Sequence, residues 1–100
     1  MIVVRDIFQL KFGKARDALK LFEDLRDVAK RTGFDLGEQR VLTDLTGPYY
    51  TLVMESTYPS LADYERELKS GLGTDEWRKW YKDMVPLVDS GRREIFTIVQ

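Results

Sequence analysis

From residue 2 to residue 12 apolar and polar side chains alternate. Ile2, Val4, Phe8, Leu10 and Phe12 fall on one side, and Val3, Arg5, Ile7, Gln9 and Lys11 on the other. A period of two is that of a strand, here with two unlike faces. Asp6 interrupts the apolar side, which suits a position near an edge or opposite a basic partner. Gly13 ends the run. Over residues 14–32 the period lengthens to that of a helix, with Ala15, Ala18, Leu19, Phe22, Leu25, Val28 and Ala29 on one stripe and charged side chains of both signs opposite them. Lys30, Arg31 and Gly33 supply the basic last turn and the left-handed stop that a helix C-terminus favours.

Residues 36–46 return to alternation, with Gln39, Val41, Thr43 and Leu45 against Glu38, Arg40, Leu42 and Asp44. So many charges suit an edge strand. Thr46-Gly47-Pro48 reads as the turn of a hairpin into a third strand over residues 49–58. Leu52, Met54 and Tyr58 lie on one of its sides and Thr51, Val53, Glu55 and Thr57 on the other. Pro59 cannot donate to a ladder, so pairing stops there. Ser60 with Asp63 three residues on makes an acidic capping box for a helix over residues 61–68. Gly71-Leu72-Gly73 breaks that helix, and Thr74 with Asp75 and Glu76 starts another. Trp77, Trp80, Tyr81 and Met84 form its apolar stripe. Pro86 ends it near Val85, Ser90-Gly91 reads as a turn, and residues 93–100 as the last strand.

Strand, helix, strand, strand, helix, strand is the split βαβ order. It predicts an α+β, ferredoxin-like βαββαβ fold: a four-stranded antiparallel sheet with its helices on one face, the first and third strands central. The helices cover one face. The other carries Val3, Arg5, Ile7, Gln9, Arg40, Leu42, Thr51, Val53 and Glu55, and by the same reading Ile95 or Thr97. That face is too apolar to stand in water and too polar for a core, so the expected partner is a second copy, giving a homodimer whose two sheets enclose a partly polar cavity.

Composition narrows the chemistry. One hundred residues, 43% hydrophobic and 33% charged, suit one domain over residues 1–100. Sixteen basic and seventeen acidic side chains alternate in sign, giving a formal charge of −1 and arguing against a nucleic-acid partner. No apolar run approaches the roughly 18 residues of a membrane span, and charge interrupts the N-terminus too early for a secretory signal. No membrane partner and a cytoplasmic location are the expectation. The chain has no cysteine and no histidine, which removes thiol nucleophiles, disulfides, the usual haem ligand and the commonest general base. No cofactor is expected, and the spacing of Glu38, Asp44 and Glu55 does not favour a metal.

Lys11-Phe12-Gly13-Lys14 resembles the strand-ending turn of the dimeric α/β-barrel superfamily, where proline commonly stands at the position of Phe12. Tyr50-Thr51-Leu52-Val53-Met54-Glu55 followed by Ser60-Leu61-Ala62-Asp63-Tyr64 is similar to that superfamily's third strand and second helix. Thr74-Asp75-Glu76-Trp77 with Pro86-Leu87-Val88 looks most like its NIPSNAP-type branch. The resemblance implies the barrel dimer. Its members include cofactor-independent quinone-forming monooxygenases, haem enzymes, lactone isomerases and proteins of unassigned function. Haem members generally depend on histidine, and some monooxygenases place an asparagine in the cavity; this chain has neither residue.

Alternation puts Arg5 and Glu55 on the same face of neighbouring central strands. One reading makes Glu55 a general base in an enclosed cavity, with Arg5 holding an anionic or enolate oxygen. The other is a cross-strand ion pair that neutralises two buried charges. Gln9, Arg40 and Thr51 are the candidates for orienting a small planar or anionic organic ligand, and equally suit hydrogen bonds across a dimer interface. Trp77, Trp80 and Tyr81 suit either a cavity mouth or a core. A non-catalytic dimerisation or interaction module is the alternative to a ligand-binding or enzymatic barrel.

Overall fold

In the computed structural model, which describes residues 1–33, 37–71 and 73–100, the chain runs β1 (Ile2–Leu10), α1 (Ala15–Thr32), β2 (Glu38–Thr43), β3 (Thr51–Tyr58), α2 (Leu61–Gly71), α3 (Asp75–Met84), a 3-10 turn (Val85–Leu87) and β4 (Val88–Thr97). The strands form one antiparallel sheet in the order β2-β3-β1-β4. This is the ferredoxin-like arrangement that the pattern predicts, with β1 and β3 central. The positions expected at Leu36 and Leu72 lie outside the described residues.

The helix side of the sheet holds the core. Leu10 and Leu52 lie against Ala18, Phe22 and Leu25 of α1 and Trp80 and Met84 of α3. The Phe22 and Trp80 rings meet edge to face with centroids 5.4 Å apart, and the Trp80 indole N–H donates to the Leu21 carbonyl, so the buried indole keeps a partner. A second cluster joins Val4, Tyr58 and Tyr64 of α2. The helix ends follow their sequence signals. Gly33 takes the left-handed conformation and its N–H donates to the Ala29 carbonyl. Ser60 Oγ accepts from the Asp63 N–H at 3.2 Å while donating to its carboxylate, and Thr74 Oγ1 accepts from the Trp77 N–H.

Several boundaries differ from the pattern. β1 ends at Leu10 because the Lys11 N–H turns away to the Leu87 carbonyl; Phe12 therefore leaves the apolar side and stands 78% exposed, against Tyr49 and Tyr50. β3 begins at Thr51, since Tyr50 takes a left-handed conformation with φ 60°. Leu19 is exposed, not part of the buried stripe. At 100° per residue it lies about 90° from the centre of the face formed by Ala18, Phe22, Leu25 and Ala29. Ser90-Gly91 is no turn: β4 already runs there, with Gly91 opposite Phe8 and Ser90 opposite Gln9. A Cβ on Gly91 would come to 3.3 Å from the Phe8 ring, so glycine serves close approach within the strand. Finally, Ile95 and Thr97 pair with Val4 and Ile2 and so lie on the helix side, and the same unbroken pairing puts Ser90, Arg92, Glu94 and Phe96, opposite Gln9, Ile7, Arg5 and Val3, on the open face.

Truncating Leu52 to alanine, at a position with no exposure, is expected to destabilise the fold by about 2–5 kcal/mol. Leu19→Ala should stay within about 0.5 kcal/mol. Urea unfolding of the two variants distinguishes this burial pattern from one in which Leu19 belongs to the core; equal losses would contradict it.

Candidate functional site

The register sorts the open face into rows of direct cross-strand neighbours. One row reads Glu38, Thr57, Val3, Phe96, the next Arg40, Glu55, Arg5, Glu94, and the third Leu42, Val53, Ile7, Arg92. A fourth holds Thr51, Gln9 and Ser90. The second row alternates in charge across all four strands, flanked by rows that carry the apolar side chains.

Within it, Glu55 is the focus. Arg40 Nε donates to Glu55 Oε1 at 2.7 Å, and Arg5 Nε lies 3.1 Å from Oε2. The Arg5 contact is one of charge without a directed hydrogen bond, because its buried Nε–H finds no in-line acceptor. The Glu55 side chain is 14% exposed, whereas Arg40 is 72% exposed. At the end of the row Glu94 bonds Arg92 on its own strand. Arg40 and Glu55, with Val3, Glu38, Gln39, Thr57 and Ile98, line a depression of about 500 Å³. The Gln39 amide nitrogen is buried without a partner among the described residues, but Gln39 lies opposite Ser56 and so on the helix side of the sheet.

Gln9 and Thr51 form a separate group. They line another depression of about 370 Å³, with Ile7, Pro48 and Arg92, and the Leu42–Val53–Ile7–Arg92 row lies between the two groups. Their polar atoms already serve the β2–β3 loop. The Gln9 amide donates to the carbonyls of Tyr49 and Tyr50, and Thr51 Oγ1 donates to the Pro48 carbonyl at 2.8 Å. The structure thus brings Arg5, Arg40 and Glu55 together and keeps Gln9 and Thr51 apart from them.

A third polar group sits beneath the helices. Asp6, buried on the apolar side of β1, receives a hydrogen bond from Nε of Arg93, its direct partner on β4. That is the basic partner its position demanded. The Arg93 guanidinium also lies 5.8 Å from the Tyr64 ring centre, within reach of a cation–π attraction. Burial works against the arginine charge, but bonding to Asp6 outweighs it and the Arg93 pKa stands above its ordinary value. Burial pushes the Tyr64 hydroxyl above the ordinary phenol value, with Arg93 opposing and Asp6 reinforcing the shift. The Arg93 guanidinium acts on the Tyr64 hydroxyl both by its charge and as a hydrogen-bonding neighbour, without a contact of full hydrogen-bond geometry. Asp6 was legible as an anomaly on an apolar face; that Tyr64 and Arg93 join it was not, since the Asp6–Arg93 contact spans most of the chain. Among the described residues no group of three histidine, cysteine, aspartate or glutamate side chains is placed to hold a metal ion, and no helix is long and apolar enough to cross a membrane.

No family model matches the chain, and no curated protein does. Solved structures share its fold. A NIPSNAP domain protein from Burkholderia xenovorans superposes with a TM-score of 0.85 at 16% identity, covering 99% of this chain and 95% of that one. A NIPSNAP family protein from Agrobacterium tumefaciens gives 0.83 at 21% identity, over 96% and 90%. An antibiotic biosynthesis monooxygenase gives 0.73 at 15% identity, over the full length of both. These similarities agree with the resemblance read from the turn and strand–helix motifs, and at such identities they speak to fold.

Removing Arg93 leaves a buried carboxylate unpaired, whereas removing Asp6 leaves a half-exposed guanidinium that can turn to water. Arg93→Ala is therefore expected to destabilise more than Asp6→Ala, by roughly 1–3 kcal/mol; denaturant melts that reverse the order would contradict the pairing. The raised Tyr64 pKa means that the unfolded chain releases this proton first as pH rises. The corresponding stability is fully present below the unfolded phenol value near 10.0 and is lost as pH climbs through the folded value. Tyr64→Phe should flatten that alkaline loss in melts taken on either side of pH 10.0.

Proposed function

We propose that the chain works as a homodimer that closes two open sheet faces on one another and binds a small anionic or planar organic molecule between them. The observation that carries this reading is the Arg40–Glu55–Arg5 triad, two guanidinium groups on one carboxylate, set between apolar rows beside the 500 Å³ depression. The triad keeps one positive charge in excess. Val3, Ile7, Leu42, Val53 and Phe96 would lose water on dimerisation, at about 25 cal/mol per Å². Strands about 4.8 Å apart with a rise of about 3.3 Å per residue make this face roughly 19 by 26 Å in plan. That is of the order of the ~800 Å² per partner in a standard interface.

Arg5 and Arg40 are the groups for an anionic oxygen of the ligand, and Glu55 first serves to hold them. An incoming anion competes for the exposed Arg40 and uncovers Oε1, the oxygen then free to accept a proton from the ligand. Chemistry of that kind fits a cofactor-independent monooxygenase or isomerase, and a monooxygenase is among the structures that share the fold. Gln9 and Thr51 shape the loop at the far end of the chamber. A second reading, a non-catalytic dimer module, draws on the engagement of both Glu55 oxygens in ion pairs.

Sedimentation at micromolar concentration is expected to give twice the 11.7 kDa chain mass, and Val53→Asp to give monomer. A wild-type monomer would overturn the reading. Glu55→Gln should leave the dimer intact and weaken binding of 2-naphthoate, the anionic probe, by loosening Arg5 and Arg40; unchanged binding would favour the module without a ligand.

A further inference from the structure

The charged row of the open face has an order that matters once two copies meet. From one edge of the sheet to the other it runs Arg40, Glu55, Arg5, Glu94, so the sign alternates strand by strand. Two sheets that close face to face with their strands aligned do so about a twofold axis that runs either across the strands or along them. With the axis across the strands, each strand lies over its own copy. The charged row then meets itself in the same order, like charge on like, or it meets the Leu42–Val53–Ile7–Arg92 row and buries three charges against aliphatic side chains.

With the axis along the strands, between β1 and β3, every row meets itself reversed. Arg40 then faces the partner's Glu94, and Glu55 faces the partner's Arg5, so all four charges meet opposite ones. The apolar row also fits, because Val53 faces the partner's Ile7 and Leu42 faces the stem of the partner's Arg92. Packed sheets lie about 10 Å apart, a gap that an arginine and a glutamate span from opposite sides. Glu94 can take part, since its bond to Arg92 joins two partly exposed side chains of one strand, and such a pair is weak in water. Arg40 is exposed, and its guanidinium has N–H donors besides the Nε that serves Glu55.

We infer that the anion site of the proposed dimer is built from both copies, about a twofold axis parallel to the strands, with the partner's Glu94 holding Arg40 in position. This geometry rests on the closure of the two open faces proposed above. Glu94 is a positioning residue, acting on the ligand through Arg40. The alternating row also serves as a recognition code, because a chain with another charge order on this face would meet like charges and be rejected.

The test is charge exchange between copies, read by sedimentation. Arg40→Glu and Glu94→Arg each set like charges together twice in a homodimer and are expected to weaken it by at least about tenfold. Mixed in equal amounts, the two variants regain opposite charges at both contacts, and a heterodimer at least about tenfold tighter than either homodimer is expected. Replacing Glu94→Arg in the mixture by Glu38→Arg makes the same change in net charge at a position that faces the partner's Phe96, and should give no rescue. Where circular dichroism shows a single variant to be unfolded, Arg40→Glu/Glu94→Arg in one chain carries the test, since it restores both contacts in a homodimer. A dimeric wild type whose single variants dimerise undiminished, or whose mixed and double variants show no rescue, would overturn the inference and leave the dimer standing. A monomeric wild type would overturn both.

Discussion

The register of β1 between β3 and β4 is the constraint on which the rest of the molecule depends. Because side chains alternate along a strand, sliding β1 by one residue would carry Val4, Asp6 and Leu10 to the open face and Arg5, Ile7 and Gln9 beneath the helices. Both polar centres would dissolve together, since Arg5 meets Glu55 and Asp6 meets Arg93 only in this pairing. The register is held by burial on one side: Val4 and Leu10 are almost without exposure, and Leu10 packs with Leu52 against α1 and α3. The core thus fixes chemistry on a face it does not itself touch.

The two centres differ in what their surroundings ask of them. Arg40 is mostly exposed, so its arm of the triad is screened by water and contributes at most about 1 kcal/mol, which leaves it free to be recruited by a ligand. Asp6 is enclosed, and its partner is held in place by pairing across the ladder as well as by charge. Such a pair adds little net stability compared with an apolar replacement, but losing one member is expensive. One centre is built to exchange partners and the other to remain closed.

The sequence made the element order, the central strands, both side-chain caps and the split of the sheet into two unlike faces readable, because period and capping chemistry are local. The motifs at residues 11–14 and 50–64 carried the fold resemblance that the solved structures share. What local pattern could not carry was the partnering of distant segments. Gly91 reads as a turn by composition, yet it sits within the ladder, where a Cβ would crowd the Phe8 ring. Ile95 and Thr97 take the helix side because they stand opposite Val4 and Ile2 across the ladder. Among the proposed site residues, alternation correctly placed Arg5, Arg40 and Glu55 side by side, but it gave no sign that Gln9 and Thr51 are committed to the carbonyls of a loop whose Tyr50 is left-handed.

The edges of the sheet bear on how two copies meet in the proposed dimer. β2 exposes Glu38 and Arg40, and β4 carries Asp89, Arg92, Arg93 and Glu94 along most of its length. Charges on an edge discourage pairing with another strand, so neither edge is a favourable continuation of the ladder. On the open face the charges are paired inward, Arg40 and Arg5 on Glu55 and Arg92 on Glu94, which leaves Val3, Ile7, Leu42 and Val53 as the surface that gains from being covered. Consecutive residues of β4 therefore divide the work: Arg93 pairs with Asp6 beneath the helices, while Arg92 and Glu94 cancel one another on the other side. That cancellation lowers the repulsion a second copy would otherwise meet, leaving the triad's one excess positive charge between the faces, and it favours face-to-face over edge-to-edge association.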